Sequence, residues 1–137
     1  MTTLLPPDWP RPKGYAAGTL AEGRLVFISG QVGWDAGGRF VSDEFAGQVE
    51  QSLRNVVAVL AEAGGGPQHI ARLTWYVTDK RAYLANQAAI GAAYRATLGR
   101  HYPAMSVVEV SALVEDAALV EIEATAVIPT APEPHAP

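Results

Sequence analysis

Between Phe45 and Leu60 the residues Phe45, Val49, Leu53, Val56, Val57 and Leu60 recur at three- and four-residue steps, the period of one helix face. Gly64-Gly65-Gly66-Pro67 stops that pattern abruptly. The next run, "IARLTWYVTD", is rich in β-branched and aromatic residues and reads as a strand. This succession is the feature that most limits the fold. A helix set between strands is a crossover, and crossovers build layered α/β domains.

The flanking segments extend the pattern. "YAAGTLAEGRLVFISG" reads as two short strands around a turn at Glu22-Gly23, and "WDAGGRFVS" as a turn and a short third strand. Ser42 or Asp43 caps the first helix, with Glu44 in its first turn, where the helix dipole favours an acid. Thr78 or Asp79 caps a second helix, whose stripe is Tyr83, Ile90, Tyr94 and Leu98 and whose stop is Gly99. Two strands follow, at 106–110 and 119–127. The predicted order is β-β-β-α-β-α-β-β, an α/β (α+β) domain with two helices on one face of a mixed sheet. "LVFI" and "LTWYV" are apolar on both strand faces, and "SVVEVSALV" nearly so. Two helices cover only one face of a sheet, so the other is expected to be covered in a symmetric homo-oligomer.

The ends have a different character. "LLPPDWPRPKG" holds four prolines between Pro6 and Pro12, which forbids helix there, and residues 1–13 read as an extended arm. "PTAPEPHAP" lacks large apolar groups, and residues 129–137 read as a disordered tail. The domain proper is 14–128.

Composition excludes several function classes. The chain has 137 residues, one domain's worth, and its 49% hydrophobic content can build a core. There is no cysteine, so disulfides, thiolate nucleophiles and cysteine-bound zinc are excluded, and a reducing, cytoplasmic setting is the expectation. No signal-peptide pattern opens the chain, and no apolar run reaches the roughly 18 residues of a membrane span. Net charge is −4 and the ten Lys and Arg are scattered, which argues against a nucleic-acid partner. His69 and His101 lack partners at metal-ligand spacing, so no metal is expected. The Gly64–Gly66 run follows a helix instead of opening one, so it is not a phosphate cradle, and no cofactor is expected. Ser29 has no evident His-Asp pair to activate it.

Five motifs carry a resemblance: "SGQVGWD", "QVEQSLRNVVAVLAEAGG", "TWYVTD", "YPAMSVVEV" and "VEIEATAV". In order and spacing they resemble the YjgF/RidA family over about residues 14–128. The resemblance implies a chorismate-mutase-like fold and a homotrimer with the sheets inside, the helices outside and a small-molecule site in each cleft between subunits. It also implies hydrolysis of reactive enamines and imines to a keto acid and ammonia; endoribonuclease and translation inhibitor are other labels in the family. Matched position by position, it puts the cleft glutamate that holds the attacking water on Glu121 and the cleft tyrosine on Tyr15. The strand-end motif falls on Ser29, Gly30 and Gln31, and a helix asparagine aligns near Asn86 or Gln87. Trp34 is expected at the cleft rim, with Tyr102 and the backbone of Ala104 beside the substrate.

The departure is at Met105. Family members typically carry Pro-Ala-Arg-Ser where this chain has Pro103-Ala104-Met105-Ser106. An arginine fork on a carboxylate makes two charge-assisted hydrogen bonds, each worth roughly 1.5–3 kcal/mol, and methionine supplies neither. Met105 either fills a subunit junction or walls a pocket suited to apolar, aromatic or neutral compounds. Arg100 or His101 could stand in as a cation, or could be plain loop residues. The leading expectation is hydrolysis of an enamine, imine or related compound without a free α-carboxylate. The alternatives are a ligand-binding trimer without catalysis and, third, a ribonuclease.

Overall fold

The structure is a computed structural model, and it describes residues 1–130. Six strands and three helices follow in the order β1 (Thr2–Leu4), β2 (Gly18–Leu20), β3 (Arg24–Gln31), α1 (Phe45–Glu62), β4 (Ile70–Val77), α2 (Lys80–Ala85), α3 (Gln87–Leu98), β5 (Ala104–Glu109) and β6 (Val120–Ile128). The main sheet has the order β3-β6-β4-β5. β6 runs antiparallel to both of its neighbours, and β4 runs parallel to β5. The expected mixed sheet with helices on one face is what the chain forms.

Strand alternation decides what lies on each side. Leu73, Trp75 and Val77 of β4 and Val120, Ile122, Ala124 and Ala126 of β6 enter the core. The α1 stripe meets them there, with Val49, Leu53, Val56 and Leu60 fully buried, each contributing about 1.5–3 kcal/mol by leaving water. Ile90, Tyr94 and Leu98 of α3 complete the layer. Gln48 is buried among these apolar groups without being unsatisfied. Its amide donates to the Ser42 and Ala117 carbonyls, and its Oε1 accepts from the Leu119 backbone N–H. It therefore pins α1 to the loop that feeds β6.

Four details depart from the sequence reading. The third strand over "WDAGGRFVS" does not form. Asp35 Oδ1 accepts from the backbone of Gly37 and Arg39, and this closes a tight turn with only a single bridge between Trp34 and Phe40. A strand lies instead at Thr2–Leu4, within the stretch read as a free arm, and pairs with β2. The helix caps itself at Glu44, because the Ser42 hydroxyl spends its hydrogen bond on the Glu44 N–H. The second helix breaks at Asn86, whose side chain donates to the Ala82 carbonyl in competition with the helix ladder. The tail expected over 129–137 lies, from 131 onward, outside the described residues.

The face away from the helices is less apolar than the strand strings suggest. Leu25 and Phe27 are exposed on it, Phe27 at 75%. Its middle is polar: Arg72, Thr74 and Tyr76 of β4 face outward beside Glu121, Glu123 and Thr125 of β6. Among the described residues no helix is long and apolar enough to cross a membrane.

Leu53→Ala should lower the unfolding free energy by about 2–5 kcal/mol in urea titration, since nothing solvated borders the side chain. Val114→Ala, at 95% exposure, should stay within about 0.5 kcal/mol of the parent.

Candidate functional site

The expected site residues fall into two groups on opposite faces of one sheet. The first group gathers where β3 meets β6. The β3 register shifts between Ile28 and Gln31, a bulge over Ser29 and Gly30. Glu121 reaches across this bulge. A Cβ on Gly30 would overlap the Glu121 carboxylate, so the acid sits in a space that only glycine leaves. The Gln31 amide turns back to donate to the Ser29 carbonyl and hydroxyl. Glu121 is half-buried and pairs in register with Tyr76. Tyr76 donates its hydroxyl to Glu123 at 2.5 Å. That hydrogen bond, followed by burial and the charges of Glu123 and Glu121, raises the Tyr76 hydroxyl above the ordinary tyrosine value, with Arg72 opposing. Glu123 is thus tied to its neighbour.

The second group lines a cavity of about 630 Å³ between α3, β5 and the segment before β2. Met105 pairs with Leu73, so it lies on the helix side of the sheet, and it is half-buried against the core. It also walls the cavity, together with Tyr15 and Tyr102. Tyr15 is held there by its neighbour: the Ala16 N–H donates to the buried Pro103 carbonyl, and Ala16 bridges to Ala104 at the start of β5. Tyr102 stacks on Tyr94, with ring centroids 5.3 Å apart and planes within 9°. Trp75, 2% exposed, lies at the back of the cavity, and its indole N–H has no partner among the described residues.

The remaining expected residues stand elsewhere. Asn86 is absent from the cavity lining and bonds its own helix, whereas Gln87 lines the cavity. Trp34 packs on Phe40 in the Asp35 turn, and its carbonyl accepts from Asn55. Arg100 and His101 border a different depression, with Arg11 and Tyr102, and His101 Nε2 meets the Ile70 carbonyl at 2.7 Å. The second group's cation was missed from sequence. Arg95 lines the cavity from α3, and its signal was the four-residue spacing Gln87–Gly91–Arg95 on one helix face. Among the described residues no cluster of His, Asp and Glu could hold a metal.

In one chain the two groups cannot act on one molecule. Glu121 faces the open side of the sheet and Met105 the helix side, with β4 between their strands.

The sequence matches the family described as Endoribonuclease L-PSP over residues 10–128. The 2-iminobutanoate/2-iminopropanoate deaminase of Salmonella typhimurium is 37% identical over 108 residues, 77% of this chain and 80% of that protein. The structure is similar to a Rid-family protein of unknown function, YyfB from Yersinia pestis, at 34% identity and a TM-score of 0.81, covering 93% of this chain and 98% of that one. It is also similar to TdcF of E. coli, solved with bound serine, at 31% identity and a TM-score of 0.66, covering 93% and 99%.

Burial, with Tyr102 alongside, pushes the Tyr94 hydroxyl above its ordinary value of 10.0, and the hydroxyl donates to the His101 carbonyl at 2.5 Å. The folded state therefore holds this proton more tightly than the unfolded chain. Its stabilising contribution is complete below about pH 10 and is lost as the pH rises beyond. In an alkaline titration followed by tyrosinate absorbance, Tyr94 should ionise after the tyrosines of ordinary value, and Tyr94→Phe should remove its part of the late component.

Proposed function

This chain belongs to the Endoribonuclease L-PSP family, also called the Rid family, and from that premise we propose that it hydrolyses the C=N bond of an enamine- or imine-type metabolite. The working unit is a homotrimer whose open sheet faces turn toward one another. Each cleft then joins the Glu121–Gly30 corner of one copy to the Tyr15–Met105 wall of the next. The observation that carries this reading is the Glu121 carboxylate seated over Gly30 on the open face, opposite in direction to the cavity. The two halves make one site only if different copies supply them. The identity to a named imine deaminase supports the reaction class.

The chemistry is simple in outline. An enamine tautomerises to its imine. Glu121 accepts a hydrogen bond from a water and takes its proton as the oxygen attacks the C=N carbon. The nitrogen takes that proton and a neutral tetrahedral carbinolamine forms. Glu121 next takes the carbinolamine hydroxyl proton and passes it to the nitrogen as C=O forms and the C–N bond breaks, so that a carbonyl compound and ammonia leave. The backbone at Ala104 and Met105 orients the substrate, and Tyr15 closes the cleft. No cofactor is needed for this sequence of steps.

Met105 sets the preference. It leaves the wall without the charge that would grip an α-carboxylate, so compounds without that group are favoured over small α-imino acids. A ribonuclease reading finds less support. His69 Nδ1 accepts from the Gly66 N–H and His101 is engaged by Ile70, so the two are not poised as an acid–base pair.

Hydrolysis of 2-iminobutanoate should proceed at or near the buffer rate with the parent protein. Met105→Arg should raise it at least about tenfold by restoring two charge-assisted hydrogen bonds. Glu121→Gln in the Met105→Arg background should then return the rate to the buffer level. Turnover untouched by the Glu121 change would exclude it as the water-activating group.

A further inference from the structure

The cavity behind Met105 is larger and more aromatic than a site for a small amino-acid derivative requires. Its volume of about 630 Å³ falls in the middle of the roughly 300–1,000 Å³ typical of pockets for drug-sized ligands. Tyr15, Tyr94 and Tyr102 offer ring faces or edges along one side, and Trp75 and Val107 close the sheet side. Such walls favour a flat or apolar body by contact area.

One charged group on a rigid element borders this space. Arg95 lines the cavity from α3, across from Met105 on β5. One turn earlier stands Gly91. A Cβ there would lie 3.1 Å from Arg95 Nη1, so the guanidinium lies close over the helix backbone where any larger residue would crowd it. Among the described residues the one ion pair is Glu50 with Arg54, and Arg95 has no carboxylate within pairing distance. It also has no side-chain hydrogen bond to another described residue, so its donors are unclaimed. Lys13 borders the cavity too, but from an exposed loop next to Gly14, where a flexible ammonium is less well positioned than a planar fork on a helix.

We propose that Arg95 is the anion anchor of this cleft, and that the ligand carries its negative group at the far end of an aromatic or apolar spacer. The substitution at Met105 and the presence of Arg95 then form one change: charge leaves the strand beside the reacting carbon and appears on the helix across the cavity. A ligand that grips Arg95 lays its spacer along the tyrosines and presents its other end to the Met105 wall. That the other end is an imine rests on the reading of the cleft given above; that Arg95 anchors an anion does not.

The test is calorimetric binding of 3-phenylpropionate, and of its uncharged amide, to the full-length protein. The acid should bind saturably to the parent, and Arg95→Gln should weaken it about tenfold or more. Lys13→Gln should leave its affinity within about twofold. The amide should bind more weakly than the acid and should not distinguish Arg95→Gln from the parent. Gly91→Ala, which crowds the guanidinium without removing it, should weaken the acid and spare the amide. Equal acid affinity in Arg95→Gln, loss in Lys13→Gln in its place, an amide as tight as the acid, or no saturable binding of the acid would each overturn the proposal. The ligand has no C=N bond and the measurement reads binding alone, which separates this result from the fate of the hydrolytic reading. The anchor can stand with no turnover found, and turnover can stand with Arg95 dispensable.

Discussion

The two-residue period of β6 governs the rest of the molecule. This strand lies inside the sheet, between β3 and β4, and each of its side chains must point either to the helices or away from them. Val120, Ile122, Ala124 and Ala126 take the helix side and form the floor of the core. Glu121 and Glu123 are thereby fixed on the other side, where burial under a helix would have cost each its hydration. The same alternation in β5, read through its pairing with β4, sends Met105 toward the helices. The separation of the acid from the cavity is therefore a consequence of packing the core, and any chemistry that uses both must recruit a second copy.

A second copy would also answer a packing problem, though a milder one than the strand sequences suggest. "LVFI" does leave Leu25 and Phe27 in the open. "LTWYV" does not: Leu73, Trp75 and Val77 go inward, while Thr74 and Tyr76 join a polar row with Glu121 and Glu123. The open face is an apolar edge beside a hydrogen-bonded polar centre. A face of that composition tolerates water in the single chain and can still pack against its copies.

Most of the architecture was legible because it follows from periodicity. The α1 stripe, the β4 run, the glycine stops at Gly64 and Gly99, both at positive φ, and the Asp79 cap are all visible in the residue order. Three of the four departures have a common cause in side chains that bond backbone. Asp35 closed a turn where a strand was read, Ser42 displaced a cap, and Asn86 split a helix. These contests are decided by local geometry that composition does not encode. In the candidate site, Glu121, Gly30 and Met105 stand in the quoted motifs, and Tyr15 came from the family resemblance. Arg95 was not legible, since it lies outside every motif, and its meaning appears only once α3 is seen to border the same cavity as β5. Gln87 rather than Asn86 reaches that cavity for a similar reason, because the helix break resets which residue faces inward.

The claim on which the functional account turns is that the Glu121 corner and the Met105 wall meet between copies. Sedimentation equilibrium of the purified protein at micromolar concentration tests it most directly, alongside the same measurement on Phe27→Asp, which puts a charge on the open face. The account predicts a parent mass of three chains, with the variant shifted toward a single folded chain. A parent protein that sediments as one chain would contradict it, because no arrangement of one sheet brings those two groups to the same side.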